Sequence, residues 1–441
     1  MVMVGTRRSA LVRGSVFLNI VFALYVLLHL SPPRGNSVSP PHGPHDNLTQ
    51  QGEAGEYSPD SDLDGPLQWA SVQERAHPDL HLCSTPQLLP RASFHGNHWV
   101  LFNHLTAIEQ PACNASVTYT THADYTYLHN LSPLVERWRG PISVAVFAPG
   151  EDFNATLNTI AFLRACRPLV AQFTTFHIFF PVDHLPSSIP KIEDVLVPSC
   201  SLPPPSTNGP TYKSSHNLTY PVNVARNVAR IAAATYFVLA SDVELYPSLN
   251  FISRFLALMS TRDASRETKP HRRVYVLPIF EVKSGIRPPA TKTSLVRLLR
   301  RGAAIPFHKF VCPQCHLVPG LRAWAESGLG ETLTVTTVAK RHAPYTRWEP
   351  IYVGTNLEPL YEERLSWEGR SDKMTQMYIM CVLDYEFHVL DNAFLVHRPG
   401  IKRLRKDRRR DEQTAAQNAL LSNTITPELQ LIYGTRPHCV L

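Results

Sequence analysis

Charge is scarce in this chain. Asp, Glu, Lys and Arg together make up 18% of its 441 residues, below the ~25% of an average soluble domain. Apolar residues reach 44%, so the composition excludes a wholly disordered chain and a coiled coil and leaves side chains for a sizeable core. Basic surface is scarce too. Of the net charge of +7, residues 402–410 (KRLRKDRRR) hold +6, from seven basic side chains and one Asp. The remainder is close to neutral, no broad basic face is implied, and nucleic acid is not an expected partner. GxGxxG and P-loop motifs are both absent, which sets aside dinucleotide-binding and kinase-like readings. Proline is in excess: there are 38.

A full-length membrane span is also lacking. The apolar stretch 14–30, GSVFLNIVFALYVLLHL, has seventeen residues. As a helix it reaches ~25 Å, short of a ~30 Å hydrocarbon core but suited to a thin early-secretory membrane. Arg7, Arg8 and Arg13 precede it with no acidic residue, the asymmetry that keeps an N-terminus cytosolic. Ser31-Pro32-Pro33-Arg34 follows and is no small-x-small cleavage site. The expectation is a cytosolic tail (1–13), an uncleaved type II signal anchor in the lipid bilayer (14–30), a flexible Pro/Gly/Ser/Asp stem (31–80) and a lumenal body (81–441), located in the Golgi membrane. Sequons at Asn47, Asn114, Asn130, Asn154 and Asn217 agree with a lumenal body, although Pro133 weakens the third. So do eight cysteines, all beyond the anchor, where an oxidising lumen permits disulfides. Spacing does not fix their pairing. Cys312-Pro313-Gln314-Cys315 lacks a second ligand pair at zinc-finger spacing, so a structural disulfide is favoured there.

The body reads as α/β. Residues 141–149 (PISVAVFAP), 173–181 (FTTFHIFFP), 193–200, 235–241 (TYFVLAS) and 274–282 (VYVLPIFEV) have strand character. Residues 153–165 and 223–234 carry helical spacing. Strands alternating with helices predict a mostly parallel central sheet flanked by helices, with binding at the carboxyl ends of its strands.

The strand at 235–241 delivers Asp242-Val243-Glu244. If the chain stays extended, alternation puts both carboxylates on one side, a hard oxygen site for Mn²⁺ or Mg²⁺. Such a cation would neutralise a departing diphosphate. The plainer alternative is that the two acids cap a helix beginning near Pro247.

The flanks of this motif resemble a known family. The helix YPVNVARNVAR (220–230), the apolar strand and the acidic pair before Pro247-Ser248 are similar to the beta-1,4-glucuronyltransferases and the C-terminal domain of the LARGE glycosyltransferases. THADYTYLHNLSPLVERWRGPISVAVFAP (121–149), VYVLPIFEVK (274–283), PATK (289–292), FVCPQC (310–315), WEPIYVG (348–354), LYEERL (360–365) and YEFHVLDNAFLVHRPGIK (385–402) follow in the family's order. The resemblance runs from about residue 117 to the C-terminus.

That resemblance implies a GT-A type fold and inverting transfer of glucuronic acid from the UDP-sugar donor UDP-glucuronate to a sugar hydroxyl, by family xylose, on a glycoprotein acceptor glycan. It implies a metal site of Asp242, Glu244 and His397; the family has Asp where this chain has Glu244. Phe147, Ala148, Arg226, Lys292 and Lys402 are the expected donor contacts, with Arg230 a further candidate for the donor carboxylate. Asp372 is the first expectation for the general base, with Glu363 and Glu362 as rivals. The basic run 402–410 reads as a solvated helix face, or as a contact for an anionic acceptor. Two other readings stay open, the same fold using UDP-N-acetylglucosamine and a non-catalytic glycan-binding protein. Oligomeric state is open as well, a homodimer included.

Overall fold

The computed structural model describes residues 83–441 apart from 191, 196–198, 202–208, 264–271, 329, 331 and 405–406. The expected tail, anchor and stem, and Asn47, lie outside the described residues. Among the described residues no helix is long and apolar enough to cross a membrane.

The strands are β1 (Arg91–His95), β2 (His98–Leu105), β3 (Val117–Asp124), β4 (Ile142–Phe147), β5 (Thr174–Pro181), β6 (Phe237–Ala240), β7 (Leu245–Pro247), β8 (Arg273–Val276), β9 (Ile279–Val282), β10 (Ala304–Pro306), β11 (Val335–Ala339), β12 (Tyr352–Gly354), β13 (Glu386–Leu390) and β14 (Leu395–His397). Helices of eight residues or more are α1 (Leu131–Trp138), α2 (Asp152–Cys166), α3 (Val222–Ile231), α4 (Phe251–Asp263), α5 (Lys292–Arg300), α6 (Met374–Val382), α7 (Arg408–Leu420) and α8 (Thr426–Tyr433). Ten strands form a large sheet in the order β1-β2-β5-β4-β3-β6-β12-β8-β13-β11, and four form a small one, β10-β9-β14-β7.

The large sheet is mixed, which corrects the expectation of a mostly parallel one. Its centre, β5-β4-β3-β6, is parallel, as is the β8–β13 pair. The other five pairings are antiparallel. Two local causes account for this. The β1–β2 hairpin turns at Gly96, in the left-handed region at φ +56°, and a tight turn can only join antiparallel strands. β12 then runs against both β6 and β8.

Strand alternation explains the layers around the centre. In β4, Ile142, Val144 and Val146 join a core built with α1 and α2, while Ala145 and Phe147 face α3 through Val224, Ala225 and Val228. All six β4 residues are buried, hence the uninterrupted apolar run. Two other expectations are corrected. Residues 274–282 form two strands because Pro278 cannot donate to a ladder; the chain leaves the large sheet at Val276 and enters the small one at Ile279. Within 193–200 the described part is a 3-10 turn at Ile192–Asp194, with Ile192 and Val195 packed on the core, not a strand.

Disulfides join Cys83–Cys113, Cys166–Cys200, Cys312–Cys315 and Cys381–Cys439. The Cys312–Cys315 pair is thus the structural disulfide that its spacing favoured.

Candidate active site

A cavity of about 1600 Å³ opens at the carboxyl ends of β3 and β6 and is lined by His122, Asp124, Arg226, Asp242 and Glu244. The acidic pair does not continue the strand. Val243 and Glu244 form a turn, closed by the Leu245 N–H donating to the Asp242 carbonyl at 3.0 Å. The Tyr119 hydroxyl, from β3, holds both ends of this turn, 2.9 Å from the Asp242 carbonyl and 2.8 Å from that of Leu245. Val243 is buried in the core. Extended alternation is therefore not what presents both carboxylates to the cavity; the turn does it. Nor do they cap a helix, because β7 intervenes and α4 begins only at Phe251.

Asp242 lies 3.5 Å from both His122 Nε2 and Arg226 Nη2. Burial opposes its ionisation, but Lys373, the His122 hydrogen bond and Arg226 outweigh that and hold the carboxyl well below its ordinary range. His122 is anchored in turn at 3.0 Å by the Tyr220 hydroxyl. Burial lowers the His122 pKa, partly offset by Asp242.

Glu244 sits among a histidine and two cationic side chains. Its Oε1 is 2.8 Å from His397 Nε2 and 3.0 Å from Lys402 Nζ, and its Oε2 is 2.8 Å from Arg398 Nε. Against the effect of burial, His397 and Lys402 push the carboxyl down to about 2. The small sheet makes this contact, since β14 pairs with β7 and puts His397 opposite Leu245.

The residues fit a divalent cation by a specific observation. His397 Nδ1 lies 2.7 Å from the Arg398 carbonyl, which accepts only, so Nδ1 carries the hydrogen. Nε2 then faces a carboxylate oxygen, a gap that only a proton or a metal cation can fill. A backbone carbonyl behind the ring is the usual support of a metal-binding histidine. Glu244 Oε2 is buried and accepts no hydrogen bond, despite the Arg398 ion pair. Among the described residues no three His, Cys, Asp or Glu side chains are already gathered into a metal cluster; Asp242 stands apart from the Glu244–His397 pair.

The other expected residues fall in three groups. Arg226 lines the cavity and pairs with the Asp372 carboxylate, which Arg226 and then Lys373 keep ionised against burial. Lys402 lines the cavity beside Glu244. Phe147, Ala148, Lys292, Arg230, Glu362 and Glu363 do not line it. Phe147 packs edge-on against Tyr220 at 5.7 Å, and Ala148 is buried, donating its N–H to the Phe179 carbonyl. Lys292 is buried against Asp391 at 2.6 Å and Ser327 Oγ at 2.7 Å. Glu363 bonds His95 and Asn227, and Glu362 forms a two-pronged pair with Arg364.

Sequence reasoning missed several lining residues. His122 and Asp124 sit at the carboxyl end of β3, a strand already rich in threonine, so their polarity gave no local signal. Lys213 pairs with Asp124 at 2.9 Å. Lys373 lines the cavity without an ion-pair partner among the described residues. Lys402 and Arg403 stand on an irregular segment at the cavity wall and α7 begins only at Arg408, so the basic run is not one helix face. Glu349 is a further member.

Known proteins are similar in sequence. The family described as glycosyl-transferase for dystroglycan matches residues 116–434. The Danio rerio beta-1,4-glucuronyltransferase 1 is 30% identical over 72% of this chain and 74% of its own length. The Homo sapiens protein of that name is 29% identical over 73% and 77%. The Rattus norvegicus xylosyl- and glucuronyltransferase LARGE2 is 24% identical over 72% of this chain and 39% of its own length. With a mixed α/β core, an acidic turn at a strand end and a family match across most of the described body, the chain belongs to the family of glycosyl-transferases for dystroglycan.

Proposed function

We propose that the protein transfers glucuronic acid from UDP-glucuronate to a sugar hydroxyl of a glycoprotein glycan, xylose by family resemblance, with inversion at the anomeric carbon, on a GT-A type fold. The observation that carries this is the Asp242–Glu244 turn at the end of β6, facing a cavity large enough for a nucleotide sugar and an acceptor together. The relatives' names supply the glucuronyl group. Asp242, Glu244 and His397 would hold Mn²⁺ or Mg²⁺, which supplies charge neutralisation for the departing diphosphate. Lys373, unpaired among the described residues, and Lys402 are placed to bind the anionic donor. Arg226, braced by Asp372, orients Asp242. The four disulfides agree with an oxidising compartment, and so with a Golgi enzyme tethered by residues 14–30.

The test is UDP release by the lumenal domain across a panel of UDP-sugars, with and without Mn²⁺ and a beta-xyloside. Turnover of UDP-glucuronate that needs Mn²⁺ and is lost in Asp242→Asn is expected. Turnover of another UDP-sugar alone would overturn the glucuronyl assignment and leave the metal site standing. A folded protein silent with every donor would favour a glycan-binding role.

A further inference from the structure

The carboxylates lining the cavity are nearly all committed. Asp124 is held by Lys213, Asp242 by Arg226 and His122, Glu244 by His397 and Lys402. Asp372 is locked to Arg226, and Glu368 and Asp407, which also line the cavity, accept from the backbone N–H groups of Tyr220 and Arg410. Glu349 is the exception. Its carboxylate has neither a hydrogen bond nor an ion pair among the described residues, although the residue is only 7% exposed and lines the same cavity. A buried carboxyl without a hydrogen bond or a contact ion pair is costly, and catalytic sites are where such costs are retained.

Packing and a backbone hydrogen bond hold the chain around Glu349. Trp348 is buried and packs against Phe387 at 5.4 Å. The Glu349 N–H donates to the Cys315 carbonyl at 2.7 Å, in the turn closed by the Cys312–Cys315 disulfide. The side chain is therefore aimed into the cavity by a fixed frame while its oxygens stay unengaged.

We propose that Glu349 is the catalytic base that accepts the proton of the acceptor hydroxyl, an inference that rests on the glycosyl-transfer reading above. As the acceptor O–H proton passes to the Glu349 carboxylate, the acceptor oxygen forms its bond to the anomeric carbon. The bond from that carbon to the diphosphate oxygen breaks, UDP leaves with the electron pair, and Glu349 then releases its proton to solvent. The charged groups facing Glu349 are Lys373, Asp372, Arg226 and Arg341, and Lys373 and Arg226 also act on Asp242, so base and acidic turn share their cations. Burial, aided by Asp372 and resisted by Lys373, Arg226 and Arg341, pushes the carboxyl up to about 7, the range in which a general base works best at neutral pH. Asp372 is the poorer base, since its ion pair with Arg226 stabilises the charge that a base must give up.

The test compares wild type, Glu349→Gln and Glu349→Asp in transfer from UDP-glucuronate to a beta-xyloside, with UDP affinity measured separately. Glu349→Gln should lower kcat roughly 100- to 10,000-fold and leave UDP affinity and the Mn²⁺ midpoint within about threefold. The wild-type kcat/KM should rise with pH through about 7; this limb should vanish in Glu349→Gln and persist in a partly active Glu349→Asp. The raised pKa also means that deprotonation destabilises the fold above the ordinary carboxyl range, so Glu349→Gln should melt higher than wild type at pH 8, with the difference fading towards pH 5. That result excludes misfolding as the cause of lost turnover. An active wild type beside a Glu349→Gln variant that turns over within tenfold of it, or keeps the acidic limb, overturns the base alone. A wild type that transfers no sugar overturns the transfer reading and the base with it.

Discussion

At the scale of single residues, the His397–Glu244 contact is the most informative feature of the site. One ring nitrogen is occupied by a backbone carbonyl and the other is pressed against a carboxylate, which commits the ring to sharing a cation. If that cation is a metal, His397→Ala removes one ligand and leaves Asp242 and Glu244 in place. The Mn²⁺ concentration for half-maximal turnover should then rise by roughly 100-fold or more, since disturbing even a supporting group costs 10–100-fold. Mn²⁺ binding followed by electron paramagnetic resonance, without substrate, should shift in parallel. An unchanged binding curve would remove His397 from the metal site and leave the contact as an ordinary buried ion pair. The acidic pair was legible from sequence because a buried strand ended on it. His397 came by resemblance alone, since a histidine in the short strand LVH carries no local sign of its partner 153 residues earlier.

At the scale of elements, α3 shows where sequence patterning misleads. Asn223, Arg226, Asn227 and Arg230 recur at helical spacing, and the two arginines read as candidates for the donor carboxylate. All four are buried, because the stripe is covered by the segment 355–372 and satisfies its backbone. Arg230 donates to the carbonyls of Glu358 and Pro359, each at 2.9 Å. Asn223 donates to those of Glu362 and Asp372, and Asn227 both donates to the Tyr361 carbonyl and accepts its N–H. A helix of suitable period was predictable, but the segment that covers it lies about 130 residues away and has no period of its own. Asn227→Ala would leave the Tyr361 N–H and carbonyl without their partner and Glu363 with His95 alone. It should lower stability by about 2–4 kcal/mol, read from urea unfolding, whereas a solvated position would change by less than about 0.5 kcal/mol. Because the same segment carries Asp372, weakened bracing of Arg226 should accompany the loss.

At the scale of the whole molecule, the described body was legible where strands are continuous and apolar, as in β4 and β5, and illegible where pairing is set by distant partners. The small sheet draws its four strands from residues 245 to 397, in three- or four-residue pieces too short for any period to emerge. The same body decides which sequons a glycosylating compartment could use. Asn114, Asn154 and Asn217 are exposed. Asn130 is 2% exposed; its amide donates to the Tyr127 carbonyl and its oxygen accepts from the Tyr246 hydroxyl. A glycan at Asn130 would break both bonds and displace packed core, so molecules that carry it cannot complete this fold. The Cys83–Cys113 bridge further requires that a soluble form begin before residue 83. A fragment starting at residue 67, directed into the secretory pathway of a eukaryotic cell, should be secreted folded, with N-glycans confined to the three exposed sites. Peptide mass spectrometry after enzymatic deglycosylation in heavy-oxygen water would count them. Substantial occupancy of Asn130 in the secreted protein would contradict the packing around α1, and retention of the fragment in cells would mean that residues before 67 belong to the folded body after all.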